Sequence, residues 1–356
     1  MRAIQMVRPE AGAVAFVEDA PVLTPGPGEV RVKVAKTAIC GTDRHIYHWD
    51  DSISSLVKPP TTIGHEFCGH IEELGADVSG WHEGEYVSAE MHIVCGRCRA
   101  CLNGNFHICE NTQIAGLQRP GSFAESVVVP ASNLVRLDEA VVPQRIGALL
   151  DALGNAVHTV QAAGGVSGRH VLVSGYGAIG AMAAAAVQFR GAASLTISEV
   201  APGHLQRARD WAANLESETP IHILNPVEDQ DFTEQVRDLT GGGVDVVLEM
   251  SGAVPAINVG LDALYPGGKM VLLGIPNCRD LQLESFTERV IFKGLRLEGV
   301  LGRRMFATWD LMLEMLEQGL NLDHIVTHQI GLSEFEQGIQ LLDAGEAHKV
   351  VMDPQK

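Results

Sequence analysis

Residues able to do chemistry are concentrated in a few short stretches of this chain. The segment "AICGTDRHIYHWD" carries Cys40, Thr42, His45 and His48, and "TTIGHEFCGH" adds His65 and Glu66 about one strand further on. A thiolate, an imidazole and a carboxylate form a plausible zinc set with room left for a substrate oxygen. Zinc in such an open site makes a bound hydroxyl acidic near neutral pH, which prepares an alcohol to lose a hydride. The released proton needs a route to water. Thr42 and His45 fit as that relay, because a hydroxyl can receive the proton and an imidazole with an ordinary pKa of roughly 6.5 can hand it on. Taken alone, the same segment also suits a buried cysteine beside solvent-facing histidines.

A second cluster, "CGRCRACLNGNFHIC", spaces Cys95, Cys98, Cys101 and Cys109 as C-x2-C-x2-C-x7-C. Four thiolates at this pitch can close a tetrahedron around one zinc ion and leave no open position, so the expected role is structural. An iron–sulfur cluster is the rival that spacing leaves standing.

The third signal is "VLVSGYGAIG", with Gly175, Gly177 and Gly180 in the pattern G-x-G-x-x-G. It follows an apolar strand and opens a helix, which is the context a dinucleotide site requires. The first two glycines allow a tight turn close to a pyrophosphate, and the helix N-terminus offers free N–H groups to it. Glu199 ends the next strand. An acid there accepts hydrogen bonds from a ribose and repels a 2′-phosphate, so NAD is expected rather than NADP.

The elements around these residues divide the chain. Up to about Ala152 the sequence is β-rich: "GEVRVKVAKTAI" alternates with period two and "SFAESVVVP" is a strand stopped by Pro130. From about 165 to 295 strands and helices alternate, which predicts a parallel sheet covered by helices on both faces. The tail, with the helix "RMFATWDLMLEMLEQG" and the strand "HKVVMD", is too short for its own core and is expected to pack on the first domain.

The formal charge of −18 argues against nucleic acid or an anionic membrane as partner. No apolar run reaches the ~18 residues of a membrane span. The N-terminus lacks a signal core, and seven cysteines, an odd number, are not a disulfide framework. A cytoplasmic location is therefore expected.

Together, "GHExxG", "CGTDxH", the four-cysteine lobe and the later G-x-G-x-x-G resemble the zinc-dependent medium-chain dehydrogenases along nearly the whole chain. More narrowly, "DALGNAVHTV", "VDVVLEMSGAVPA" and "VIFKGLRLEGVLGRRMFATW" resemble the L-threonine 3-dehydrogenase branch. The resemblance implies an α/β protein: a GroES-like β-rich catalytic domain (1–155 and 296–356, with the metal lobe at about 92–112) and a Rossmann doubly wound domain (156–295). It implies two zinc ions per chain, NAD as cofactor, a homotetramer, and oxidation of the L-threonine hydroxyl to 2-amino-3-ketobutyrate.

By the same resemblance, Cys40, His65 and Glu66 hold the catalytic zinc, with Asp151 as a further or alternating ligand, and the four lobe cysteines hold the structural one. Ile179, Leu273, Gly274, Ile275, Val300 and Leu301 line the cofactor, and His92 tunes substrate preference. Three departures stand out: His204 where the family often has another basic residue near the ribose acid, Ala152 where proline is usual, and the poorly matching "LESETPIHILNPVEDQ".

Other residues have plainer readings. His48, His70 and His107 read as surface or structurally satisfied, and Cys68 and Cys278 as small buried residues. Trp49 either walls the pocket or fills core. Arg303 or Arg304 can meet a substrate carboxylate or be an ordinary surface arginine. The competing functions are an NAD-dependent dehydrogenase of another amino alcohol or a polyol (2,3-butanediol or sorbitol-like) and a relative that has lost catalysis; the complete set Cys40, Thr42, His45, His65 and Glu66 weighs against the last.

Overall fold

A computed structural model of the chain describes residues 1–229, 231–276, 278 and 280–356. Two compact units emerge. One comprises Met1–Ala152, Arg304–Gln318 and Val326–Lys356, and the other Leu153–Arg303 and Gly319–Ile325.

The first unit is built on strand alternation. In Glu29–Ala38 the side chains of Val30, Val32 and Val34 are fully buried, on one face, as a period of two demands. This strand is central. Phe67–Leu74 pairs antiparallel with it, Lys349–Asp353 also runs antiparallel to it, and Ser126–Pro130 joins along its first half. Tyr86–Ala89 and Leu134–Arg136 extend the sheet on one side and Val326–Gly331 on the other. A smaller three-stranded sheet orders Val14–Val17, Ala3–Met6 and Thr61–Thr62. Its core gathers Ile4, Met6, Ile39, Ile46, Phe123, Phe335 and Val350.

The second unit holds a six-stranded, wholly parallel sheet in the order Ile221–Leu224, Ser194–Ser198, His170–Ser174, Val244–Glu249, Leu264–Leu272, Arg296–Gly299. The chain starts at the centre, winds outward one way, then returns to wind the other way. That reversal lies between His170–Ser174 and Val244–Glu249, the place where such sheets bind ligands beyond their carboxyl ends. The helix Ala178–Phe189 is apolar all round, and Gly180–Val187 are buried.

The division differs from the expected one at three places, the first being that the second unit begins at Leu153 rather than 156. Arg296–Gly299 is the sixth strand of the parallel sheet, so the second unit runs on to Arg303 rather than stopping at 295. Residues 319–325 also belong to it, with His324 stacked on Trp211 at 5.4 Å between ring centroids.

One backbone position shows how tightly the first unit is assembled. Gly64 has φ +91°, and a Cβ there would lie 2.1 Å from the ring of buried Phe123. Gly64→Ala is expected to destabilise the protein by about 3 kcal/mol, from left-handed strain plus overpacking, seen as a lowered urea midpoint. A loss under about 1 kcal/mol would contradict this packing.

Candidate active site

Strand pairing brings the first cluster together. Thr37 lies opposite Phe67, the Ala38 N–H donates to the Glu66 carbonyl at 3.1 Å, and the Thr37 hydroxyl donates to the same carbonyl at 2.5 Å. His65 and Glu66 are thereby set beside the chain as it leaves its strand, and Cys40 follows two residues later. Cys40 caps the helix Gly41–His48, whose N3 residue, Asp43, accepts the Cys40 N–H at 2.9 Å. This is the reciprocal half of a capping box, and it fixes the angle at which Cys40 enters the site. One ligand atom each from Cys40, His65 and Glu66 lie within 4.8 Å of one another.

The surroundings are anionic and dry. Glu66 and Asp43 are fully buried, and His65 and Asp151 nearly so. Asp43 Oδ1 is 3.8 Å from His65 Nδ1. Lys349 is itself buried; its Nζ donates to Glu66 Oε1 at 2.7 Å, lies 2.6 Å from Oε2, and donates to the Ile39 carbonyl at 3.0 Å. Burial by itself would make His65 less basic, yet Asp43, Cys40 and Asp151 overcome it and hold the imidazole up at about 10. Burial pushes the Glu66 and Asp43 carboxyls up. The cluster thus favours a cation in its midst, and a thiolate–imidazole–carboxylate set is the donor chemistry of an open zinc site. Asp151, in the first turn of a helix, interacts electrostatically with His65, Glu66 and Asp43 and stands outside the three-ligand group.

The relay residues are placed unequally. Thr42 Oγ1 is 4.0 Å from Cys40 Sγ. The His45 ring is over half exposed, and its Nδ1 is 2.6 Å from Asp50 Oδ2. His48 is paired with Asp343 at 2.9 Å and His70 lies 3.8 Å from Glu139. Trp49 ends its helix in the left-handed conformation and packs against the core around Ile46.

The four lobe cysteines converge. Cys98 Sγ lies 3.5 Å from Cys101 Sγ and 3.9 Å from Cys109 Sγ, and Cys95 and Cys109 are 3.6 Å apart. A zinc tetrahedron with bonds of roughly 2.3 Å has sulfur–sulfur edges of about 3.8 Å, so the set fits that ion. The N–H groups of Arg97 and Cys98 draw the Cys95 thiol down to about 6, which favours the thiolate a metal needs.

The dinucleotide motif in the second unit has the required shape. Gly175 follows the strand His170–Ser174 with φ +94°, Gly177 caps the helix, and Ile179 lies half-buried in its first turn. A Cβ on Gly180 would sit 2.0 Å from the Gly175 carbonyl, so only glycine lets helix and turn approach this closely. Glu199 accepts the N–H groups of Tyr176, Val200 and Ala201 at 2.7, 2.7 and 2.8 Å, with His204 Nδ1 at 3.4 Å. Burial would raise this carboxyl, but His204 and the three N–H groups outweigh it and hold it at about 2. Leu273 and Gly274 donate their N–H groups to the Glu249 carbonyl, and Val300 donates to that of Leu272. Ile275 and Leu301 are exposed beyond the same strand ends.

Two readings need correction. Cys278 is exposed, in the loop after the fifth sheet strand, and is no small core residue. Arg303 is no surface arginine: it is fully buried, and its aliphatic stem fills the space a Gly154 side chain would take. Arg304 is exposed. Cys68 is buried as expected, its thiol pushed up to about 12. Sequence reasoning missed Asp43, Asp50 and Lys349. Asp43 stood in plain view three residues after Cys40, at capping-box spacing, and Lys349 opens a strand whose next three residues are apolar.

Glu199 generates a test. A carboxyl depressed from 4.5 to about 2 contributes stability that is fully present above pH 4.5 and lost as pH falls toward 2. The stability difference between wild type and Glu199→Gln is expected to be about 2 kcal/mol at pH 6 and to shrink through that window, measured by denaturation at each pH. A difference independent of pH would contradict the assignment.

Comparison with known proteins agrees with this architecture. Residues 26–139 match the family profile described as alcohol dehydrogenase GroES-like domain, and residues 178–318 match that of zinc-binding dehydrogenase. The chain is 41% identical over 355 residues to an L-threonine 3-dehydrogenase of Pyrococcus horikoshii, covering 99% of this chain and 98% of the relative. It is 42% identical over 357 residues to the protein of that name in Sinorhizobium medicae, with the same coverage. Among solved structures, the 2R,3R-butanediol dehydrogenase of Bacillus subtilis superposes with a TM-score of 0.88 at 24% identity, over 99% of both chains. Among the described residues no helix is long and apolar enough to cross a membrane.

Proposed function

The chain belongs to the zinc-dependent medium-chain dehydrogenases, and from that premise we propose that it oxidises the hydroxyl of L-threonine to 2-amino-3-ketobutyrate with NAD as hydride acceptor. The observation that carries the reading is the convergence of Cys40, His65 and Glu66 in a buried anionic cluster, within a chain that matches its threonine-oxidising relatives end to end.

When bound, zinc supplies Lewis acidity at the substrate hydroxyl and NAD supplies the hydride acceptor. Cys40, His65 and Glu66 would hold the catalytic ion, with Asp151 as the nearby acid, and Cys95, Cys98, Cys101 and Cys109 a structural one, two per chain. Asp43 orients His65, and Lys349 balances the charge of Glu66. The Thr42 hydroxyl takes the substrate proton and His45, steadied by Asp50, passes it to solvent. His92 contacts the substrate. Gly175, Gly177, Ile179, Gly180, Leu273, Gly274, Ile275, Val300 and Leu301 line the cofactor. Glu199 and His204 take the adenosine ribose, and the Glu199 charge disfavours NADP.

The assembly is a homotetramer in this reading. The edge strand Arg296–Gly299 is exposed along its length, with Phe286, Ile291, Phe292 and Leu301 exposed nearby in sequence, and the cysteine lobe separately exposes Leu102 and Ile108. A tetramer of twofold symmetry needs two such self-complementary patches, and an open sheet edge needs covering. The free thiols of the metal sites suit the reducing cytoplasm.

A substrate panel followed by NADH absorbance tests the reading. L-Threonine is expected to exceed 2,3-butanediol and sorbitol in kcat/KM by roughly 100-fold, because polar sites reject analogues that leave their groups unpaired. Thr42→Ala is expected to lower kcat by roughly 100-fold or more while zinc content is kept. Turnover of polyols with none of threonine would overturn the substrate assignment.

A further inference from the structure

A buried carboxyl ties together the loops at the mouth of the parallel sheet. Glu249 ends the strand Val244–Glu249 and is fully buried. Strand register sets it level with Ser174 on one side and Leu272 on the other, so it stands at the carboxyl edge of the sheet, next to the point where the winding reverses.

Its side chain turns back on its own loop. Oε1 accepts the Ser251 N–H at 2.9 Å, the Ser251 hydroxyl, and the Gly252 N–H at 3.1 Å, and Oε2 shares that last N–H at the same distance. Ser251 Oγ accepts the Ala253 N–H at 3.0 Å. The Glu249 carbonyl reaches the other way and accepts the N–H groups of Leu273 and Gly274 at 3.0 and 3.1 Å. One residue therefore binds two loops, the first by its side chain and the second by its main chain. The loops also meet directly, since a Cβ on Gly274 would lie 2.1 Å from the Gly252 nitrogen and 2.6 Å from Glu249 Oε2. The dinucleotide turn joins the same cluster. A Cβ on Gly175 would lie 3.0 Å from that of Ser251, and Met250 donates its N–H to the Ser174 carbonyl at 2.9 Å.

Burying an acid costs free energy, and burial does push the Glu249 carboxyl up, with Ser251 and Gly252 opposing it. What a carboxylate alone supplies here is two oxygens that only accept, facing a loop that presents only donors. A doubly wound sheet has two nucleotide-binding halves about its switch point. Glu199 lies in the first half, with the adenosine ribose, and the Gly175 turn takes the pyrophosphate. The loops after Val244–Glu249 and Leu264–Leu272 belong to the second half. We propose that Glu249 is a positioning residue that locks residues 250–253 and 273–275 into one preformed surface for the nicotinamide riboside of NAD. The proposal rests on the NAD reading above and names what holds that half of the site in shape.

The test reads binding rather than turnover, by calorimetry on the full-length, zinc-loaded enzyme. Its two ligands are NADH and ADP, which shares the adenosine and pyrophosphate of NADH and lacks the nicotinamide riboside. Glu249→Gln replaces one oxygen by an amide donor. Both oxygens lie 3.1 Å from the Gly252 nitrogen, so that donor meets the Gly252 N–H in either orientation of the amide. The dissociation constant for NADH is expected to rise about tenfold, the scale of one hydrogen bond to a charged group, while that for ADP stays within about twofold. Ser251→Ala removes a single bond at an exposed residue. It is expected to weaken NADH alone by about threefold, and it carries the test should Glu249→Gln not fold. Equal weakening of both ligands, or unchanged NADH binding, overturns the positioning role and leaves the NAD reading intact. A wild type that binds neither ligand removes that reading and the proposal together.

Discussion

Burying anions without a counter-ion is costly, and the first unit is organised around that cost. Glu66, Asp43 and Asp151 lie together out of water, beside Cys40, with Lys349 and His65 as the cationic or potentially cationic groups that face them. One lysine does not neutralise four acids, and the site answers by holding its imidazole strongly basic. A divalent cation held there would offset the imbalance and let His65 serve as a neutral ligand. Under that reading the demand for a cation belongs to the whole pocket, to Asp43, Asp151 and Lys349 as much as to Cys40, His65 and Glu66.

That pocket in turn dictates the sheet around it. The strands Glu29–Ala38, Phe67–Leu74 and Lys349–Asp353 each deliver one part at or next to an end: Cys40, the His65–Glu66 pair and Lys349. The C-terminal strand thus belongs to the site although it is far away in sequence. The second unit spends its backbone N–H groups differently, three of them on the buried Glu199 carboxylate. Gly175 and Gly180 make the turn close-fitting, and Glu199 is held ionised by three N–H groups and His204.

Much of this was legible in the sequence because spacing encodes it. The four cysteines and the three glycines are local patterns, and the structure keeps the cysteines together and the glycines in one turn and helix start. The parallel sheet was legible from alternation, yet its sixth strand, Arg296–Gly299, was not, since four exposed residues carry no hydrophobic period. Lys349 was hidden for another reason. It meets its acid, Glu66, across more than two hundred residues, and nothing in either segment names the partner. Arg303 misled because arginine is usually exposed; here its stem replaces the side chain Gly154 lacks.

The central claim is that Cys40, with His65 and Glu66, grips a cation on which turnover depends. Zinc analysis of purified wild type and Cys40→Ser, paired with NADH production, addresses it most directly. The account predicts about two zinc ions per chain in wild type and about one in the variant, which stays folded and binds NAD but does not turn over. A variant that keeps both ions and the wild-type rate would contradict it.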